Sequence, residues 1–219
     1  IFFSNAVFLV EGPSEKLFYT ALAKDIGIDL DRYNISILVV DGVGFKPYIK
    51  ICRALDIPFV MRTDNDIFEK TKEKCKYNYY AGITRVIGIY KDLISDPSND
   101  SILKYWNDNK EKNDWLASED TSEDAKKFEY VESGITLDVN LEEDIVNTKL
   151  YESLSNYYKV TNKEDIIKAM QRRKAENMLN YLKYLKDNSI PLNIIESNNV
   201  CKPIKDLEKL VKKGIDANE

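Results

Sequence analysis

Residues 6–18, AVFLVEGPSEKLF, restrict what this chain can fold into more than any other stretch of it. They open with Ala6-Val7-Phe8-Leu9-Val10, an unbroken apolar run too short for a helix and rich in β-formers. A strand buried on both faces, as in a parallel sheet, reads this way. The run stops at Glu11. Gly12-Pro13 then breaks the strand and Ser14 offers a helix-capping hydroxyl. Leu17, Phe18, Ala21, Leu22 and Ile26 recur at helical spacing over residues 14–27. Glu11 is thereby put where a parallel strand hands over to a helix, the edge at which open α/β sheets bind ligands. Glu15 follows in the first helical turn. Two carboxylates so placed suit a hard cation or acid–base work.

The pattern repeats. Residues 35–40 read as a second strand ending at Asp41-Gly42, residues 45–55 as a helix, and residues 58–63 as a third strand ending at Asp64-Asn65-Asp66. Strand, helix, strand, helix, strand implies right-handed crossovers and a parallel sheet. All three strands end in an acid (Glu11, Asp41, Asp64), which points to one site along one sheet edge, with Asp41 read as structural or as a supporting neighbour. Alternate residues of an extended segment face the same way, so Asp64 and Asp66 can converge on one point. A magnesium site is the functional reading; a solvated turn, where Asp and Asn are favoured for backbone reasons, is the alternative.

Beyond residue 67 the character changes. Residues 68–132 are rich in Lys, Asn and Asp with scattered aromatics and read as a polar insertion. Within it the spacing predicts a helix over 83–94, a turn over 96–100 and an exposed, mobile connection over 107–124. Short strands are expected at 130–131 and 135–137, then a helix led by Leu141-Glu142-Glu143-Asp144-Ile145. One long amphipathic helix is expected over 163–187 with Arg172-Arg173-Lys174 in its middle, and a lysine-rich helix over 204–215. The expected organisation is a core at 1–67, the insertion at 68–132, and the rest of the core plus C-terminal helices at 133–219.

Two absences narrow the chemistry. The chain has no His, which excludes Ser-His-Asp and Cys-His catalysis and His-ligated metals within it. Any metal must be held by carboxylates, amides and water, which favours magnesium, manganese or calcium. No GxxxxGK[ST] phosphate loop is present. The net charge of −5 does not suit the whole surface to nucleic acid, so phosphate binding would rest on local basic patches or bridging cations. The late basic residues, 172–174 and 202–213, are candidates for such a patch or simply a solvated face. Three widely spaced Cys with no CxxC suit free thiols in a reducing cytoplasm. No apolar run approaches the ~20 residues of a membrane span. The opening Ile-Phe-Phe suggests a piece of a longer protein.

VEGPSEKLF followed by VVDGVGFKPY and RTDND resembles the Toprim domain of OLD-family nucleases, and most closely the nuclease subunit of the Gabija anti-phage system. The resemblance covers roughly residues 6–67. It implies a Rossmann-like Toprim α/β fold with Glu11, Asp64 and Asp66 as metal ligands. Further along, the family's TLExD segment and essential lysine are matched by Glu142, Asp144 and Lys174. Asn140 stands where the pattern has Thr, Glu143 is an alternative ligand, and Arg173 competes with Lys174 for the basic role.

The implied activity is endonucleolytic hydrolysis of DNA with two Mg2+ or Mn2+ ions ~3.5–4 Å apart. One ion would sit on Glu11, Asp64 and Asp66. The other would share one of these and add Glu15 with Glu142 or Asp144, while Lys174 steadies developing negative charge. The resemblance also implies an N-terminal ABC-type ATPase domain outside this chain, a helicase-like partner subunit, and a homo-oligomer of the full protein. Rival readings are another Toprim activity (primase, topoisomerase, RNA-maturing nuclease) or a non-catalytic interaction module.

Overall fold

The computed structural model describes residues 3–72, 75–93, 100, 103–104, 135–138 and 140–216. The expectations for 96–99, 107–124 and 130–131 lie outside these residues. Every residue of β1 (Ala6–Val10) is buried, because the strand runs between two parallel neighbours, β2 (Ile35–Val39) and β3 (Phe59–Asp64). A fourth strand, β6 (Ile135–Asp138), pairs in parallel with β3 and completes the order β2-β1-β3-β6. Between them in sequence, β4 (Ile67–Lys72) and β5 (Cys75–Tyr80) form a separate antiparallel hairpin.

Side-chain alternation along β1 divides the core into two layers. Ala6, Phe8 and Val10 join a large cluster with α1 (Pro13–Asp25) and the C-terminal helices. Val7 and Leu9 face the other way, onto α2 (Phe45–Ala54) and α3 (Ala81–Leu93). Phe8 meets Tyr19 of α1 edge to face at 4.8 Å between ring centroids, which fixes α1 on the sheet. Although α3 lies in the segment read as a polar insertion, it buries Ile83, Val86, Ile87, Ile89 and Tyr90 in the second layer. The layer is completed by the sequence-separated Leu103.

The start of α1 differs from expectation. Gly12, not Ser14, is the N-cap; Pro13 takes the first helical position, where its missing N–H costs nothing, and Ser14 is pulled inside and buried. The C-terminal region contains α4 (Leu141–Val146), α5 (Tyr151–Tyr158), α6 (Lys163–Gln171), α7 (Lys174–Asp187) and α8 (Lys202–Asp216). Asn140 fills the cap position of α4, its Oδ1 accepting from Glu143 N at 2.8 Å. Asn140 is thereby the N-cap of α4.

The long helix expected over 163–187 is two helices. Arg172 is extended and Arg173 left-handed (φ 50°, ψ 52°), so the chain turns between α6 and α7. Asn177 holds that turn by donating from Nδ2 to Ala169 O at 2.8 Å and to Arg172 O. Helical spacing survives such a turn because both halves still bury one apolar stripe: Ile166 and Met170, then Met178, Tyr181 and Leu185. Among the described residues no helix is long and apolar enough to cross a membrane.

The break matters because it makes Lys174 the first residue of a helix rather than a mid-helix side chain. Replacing Asn177 by Ala removes both bonds across it. Asn177→Ala is expected to lower stability by about 1 kcal/mol, read from the urea unfolding midpoint.

Candidate functional site: an acidic rim crossed by three cations

Glu11 leaves the end of β1 and turns its side chain across the end of β3. Its Oε1 accepts from Asp64 N at 3.0 Å and from the Thr63 hydroxyl. Asp64 itself closes β3, and its Oδ2 lies 3.6 Å from Lys174 Nζ. The same ammonium lies 3.5 Å from Glu142 Oε2, carried in on the first turn of α4. Glu15, from the first turn of α1, is buried beside Asp64 and Lys174 and feels both charges. Four acids from four separate elements thus share one locus. Lys174 is the cation among three of them.

Asp66 lies further out, and Arg85 of α3 ties it back. Arg85 Nη1 donates to Glu11 Oε1 at 2.9 Å while Nη2 donates to Asp66 Oδ2 at 3.2 Å. Nη1 also reaches Asp64 O at 3.3 Å and the Thr63 hydroxyl. Asp144 is engaged elsewhere on the rim: its Oδ2 accepts from Nη2 of Arg62, a fully buried side chain of β3 whose Nη1 donates to Tyr19 OH at 3.1 Å. Among the described residues no three carboxylates stand arrayed around one point as metal ligands. Their oxygens are drawn onto the ammonium and the guanidinium groups instead.

Of the expected site residues, Glu11, Glu15, Asp64, Asp66, Glu142 and Lys174 therefore meet on one rim, with Asp144 attached through Arg62. Asp41 does not join them. It adopts a left-handed turn (φ 55°) with Gly42 and is exposed, while Gly42 N bonds Glu11 O at 3.0 Å. Glu143 bonds the Asn140 cap, and Arg173, largely exposed, pairs with Glu176. Four lysines of α8 are met by acids as well: Lys202 and Lys209 by Asp206, Lys205 by Glu196, Lys212 by Glu208. That pattern belongs to a solvated, charge-paired face.

Residues 2–66 match the sequence model of the family described as overcoming lysogenization defect protein-like, Toprim domain. Over these residues the chain is similar to OLD-like Toprim domains. Endonuclease GajA of Bacillus cereus (strain VD045) is 29% identical over 87 residues, which cover 40% of this chain and only 15% of that protein. The C-terminal region of the OLD protein of Xanthomonas campestris pv. campestris is similar in structure across 100% of this chain and 99% of its own, at 19% identity and a TM-score of 0.65. That of the Burkholderia pseudomallei OLD protein covers 97% of this chain and 99% of its own, at 18% identity and a TM-score of 0.54. These structural likenesses extend the shared fold to the helices that bring Glu142 and Lys174 to the Toprim rim.

Two arginines and a glycine of this site are absent from the sequence reading. Arg62 sits in an apolar strand, where a charge carries no local pattern. Arg85 sits in an apolar helical stretch, between Ile83 and Val86, with no local pattern that ties it to the strand-end acids. Gly82 precedes it, and a Cβ there would stand 2.5 Å from both Asn65 Cα and Asp64 O. Only Gly lets α3 approach the Asp64-Asn65-Asp66 turn closely enough to deliver Arg85. Gly12 plays a lesser part of the same kind, since its added Cβ would lie 3.1 Å from Glu15 Oε2.

Burial raises the carboxyls of Glu11, Glu15 and Glu142 above their ordinary values, against the hydrogen bond from Thr63 at Glu11 and the nearby Lys174 at the other two. Lys174 is pulled down by burial but ends above its usual value because Glu142, Asp64 and Glu15 surround it. For the three raised carboxyls the folded protein holds protons more tightly than the unfolded chain. Their contribution to stability is therefore full below the ordinary carboxylate pKa and is lost as pH rises through the raised values. Glu142→Gln, which keeps the shape and discards the charge, is expected to raise the metal-free melting temperature at pH 7 although Lys174 loses a neighbour. The gain should be on the order of 2–4 °C per kcal/mol recovered and should shrink towards pH 4. Differential scanning calorimetry in chelator measures it.

Proposed function

We propose that this chain is the nuclease part of a divalent-metal-dependent DNA endonuclease. The observation that carries the reading is the convergence of Glu11, Glu15, Asp64, Asp66 and Glu142 on one sheet edge with Lys174 among them. The donor set fits a hard divalent cation: all its ligand atoms are carboxylate oxygens, and they already gather around positive charge. Glu142 Oε2 is buried without a hydrogen bond, with Lys174 Nζ at 3.5 Å, and so retains capacity for a cation.

Glu11, Asp64 and Asp66 would hold one ion, and Glu15 with Glu142 a second, sharing Asp64. Bound divalent ions supply charge neutralisation on a phosphoryl oxygen and activation of water. The rest falls to the chain. Lys174 Nζ places a positive charge beside the ligand cluster, where it stabilises negative charge building on phosphoryl oxygens. Burial strengthens that interaction by thinning the water around it. Asp144 acts from behind by fixing Arg62, whose charge compensates Glu15. Until metal is present the acids repel a polyanion, so DNA engagement at the rim follows divalent metal.

GajA is named an endonuclease, and the OLD-like Toprim match lies over the residues that furnish Glu11, Glu15, Asp64 and Asp66. By that likeness the whole protein is an anti-phage effector. Its N-terminal ATPase domain, homo-oligomeric assembly and helicase-like partner subunit belong to the same reading. In the whole protein, Mg2+ or Mn2+ is expected to support DNA cleavage that EDTA abolishes. Asp64→Asn and Lys174→Met are each expected to lower the rate at least about 100-fold with the circular dichroism spectrum unchanged. Cleavage that persists at the original rate in Asp64→Asn or in EDTA overturns the assignment.

A further inference from the structure

Arg85 has no counterpart in the reading above, yet it spans the two outermost acids of the first ion's ligand set. Its side chain is only 14% exposed, and the guanidinium forks between Glu11 Oε1 (2.9 Å) and Asp66 Oδ2 (3.2 Å). Further bonds to Asp64 O and the Thr63 hydroxyl hold it there. Gly82 and the bond from Ala81 N to Asp66 O (2.8 Å) anchor its helix against the same turn. A guanidinium stays charged at any working pH and matches carboxylates through fixed, directional donors. A divalent ion on Glu11 and Asp66 would draw on the same two carboxylates, and the two cations repel at that range.

We propose that Arg85 is a positioning residue exchanged for the divalent ion: it draws Glu11 and Asp66 together in the metal-free protein and releases them when metal binds. The acid pair is thus kept compensated and correctly spaced before the ion arrives, and part of the metal's binding free energy is spent on displacing the guanidinium. The inference rests on the metal-dependent reading of this rim. It assigns Arg85 an antagonistic role, opposite to that of a residue which merely supports the ligands.

Titration of the whole, nucleotide-free protein with Mn2+, followed by calorimetry and by the electron paramagnetic resonance of free Mn2+, tests it. Glu11→Gln identifies the binding that belongs to the rim. Arg85→Met is expected to bind Mn2+ at that site at least threefold more tightly than the unsubstituted protein. It is also expected to melt lower in EDTA and to show a larger Mn2+-induced rise in melting temperature. Arg85→Lys keeps the charge but loses the fork and is expected to fall between the two; it serves alone if Arg85→Met does not fold. Equal or weaker Mn2+ binding in the folded variant overturns the proposal while leaving the metal site standing. Absence of Mn2+ binding that Glu11→Gln removes overturns both.

Discussion

The structure depends on compensating buried negative charge at the carboxyl end of a parallel sheet. Glu15 and Glu142 are almost wholly buried and Asp64 nearly so, within reach of one another's charge. Carboxylates so placed are costly to ionise unless cations meet them. Lys174 pairs with Asp64 and Glu142, while Arg85 pairs with Glu11 and Asp66 and Arg62 with Asp144 on the same rim, the three cations arriving from the first residue of α7, the body of α3 and the middle of β3. The rim is consequently a charge lattice rather than an open pit of acids.

Delivery of those cations explains features that would otherwise look incidental. Asn177 bonds across the α6–α7 turn, and the left-handed Arg173 turns its own side chain outward while Lys174 faces in. Gly82 lets α3 rest on the backbone of the Asp64-Asn65-Asp66 turn, which brings Arg85 within hydrogen-bonding range of Glu11. Asn140 caps α4 so that Glu142 enters at the helix start, where the positive end of the dipole also favours a carboxylate. Backbone conformation, more than side-chain packing, aims the charges.

Much of this was legible in the sequence because its signals are local. The apolar run ending at Glu11, the break at Gly12-Pro13 and the strand ending at Asp64 each declare themselves within a few residues. Helix α3 was legible in its periodicity, though its burial against Val7, Leu9 and Met61 was not. Arg62 and Arg85 were both hidden by the apolar residues around them. The α6–α7 break was hidden by an amphipathic pattern that continues through it.

By itself the sequence determined the βαβαβ order, the positions of Glu11, Asp64 and Asp66 at strand ends, and the exclusion of His-based chemistry. Strand and helix periodicity, turn residues and composition act over short range and do not need the rest of the chain. Only the tertiary structure decided which charges neutralise which. Glu11 meets Arg85 across 74 residues and Asp144 meets Arg62 across 82. Such pairs depend on how whole elements approach one another, and nothing in the local sequence encodes that approach.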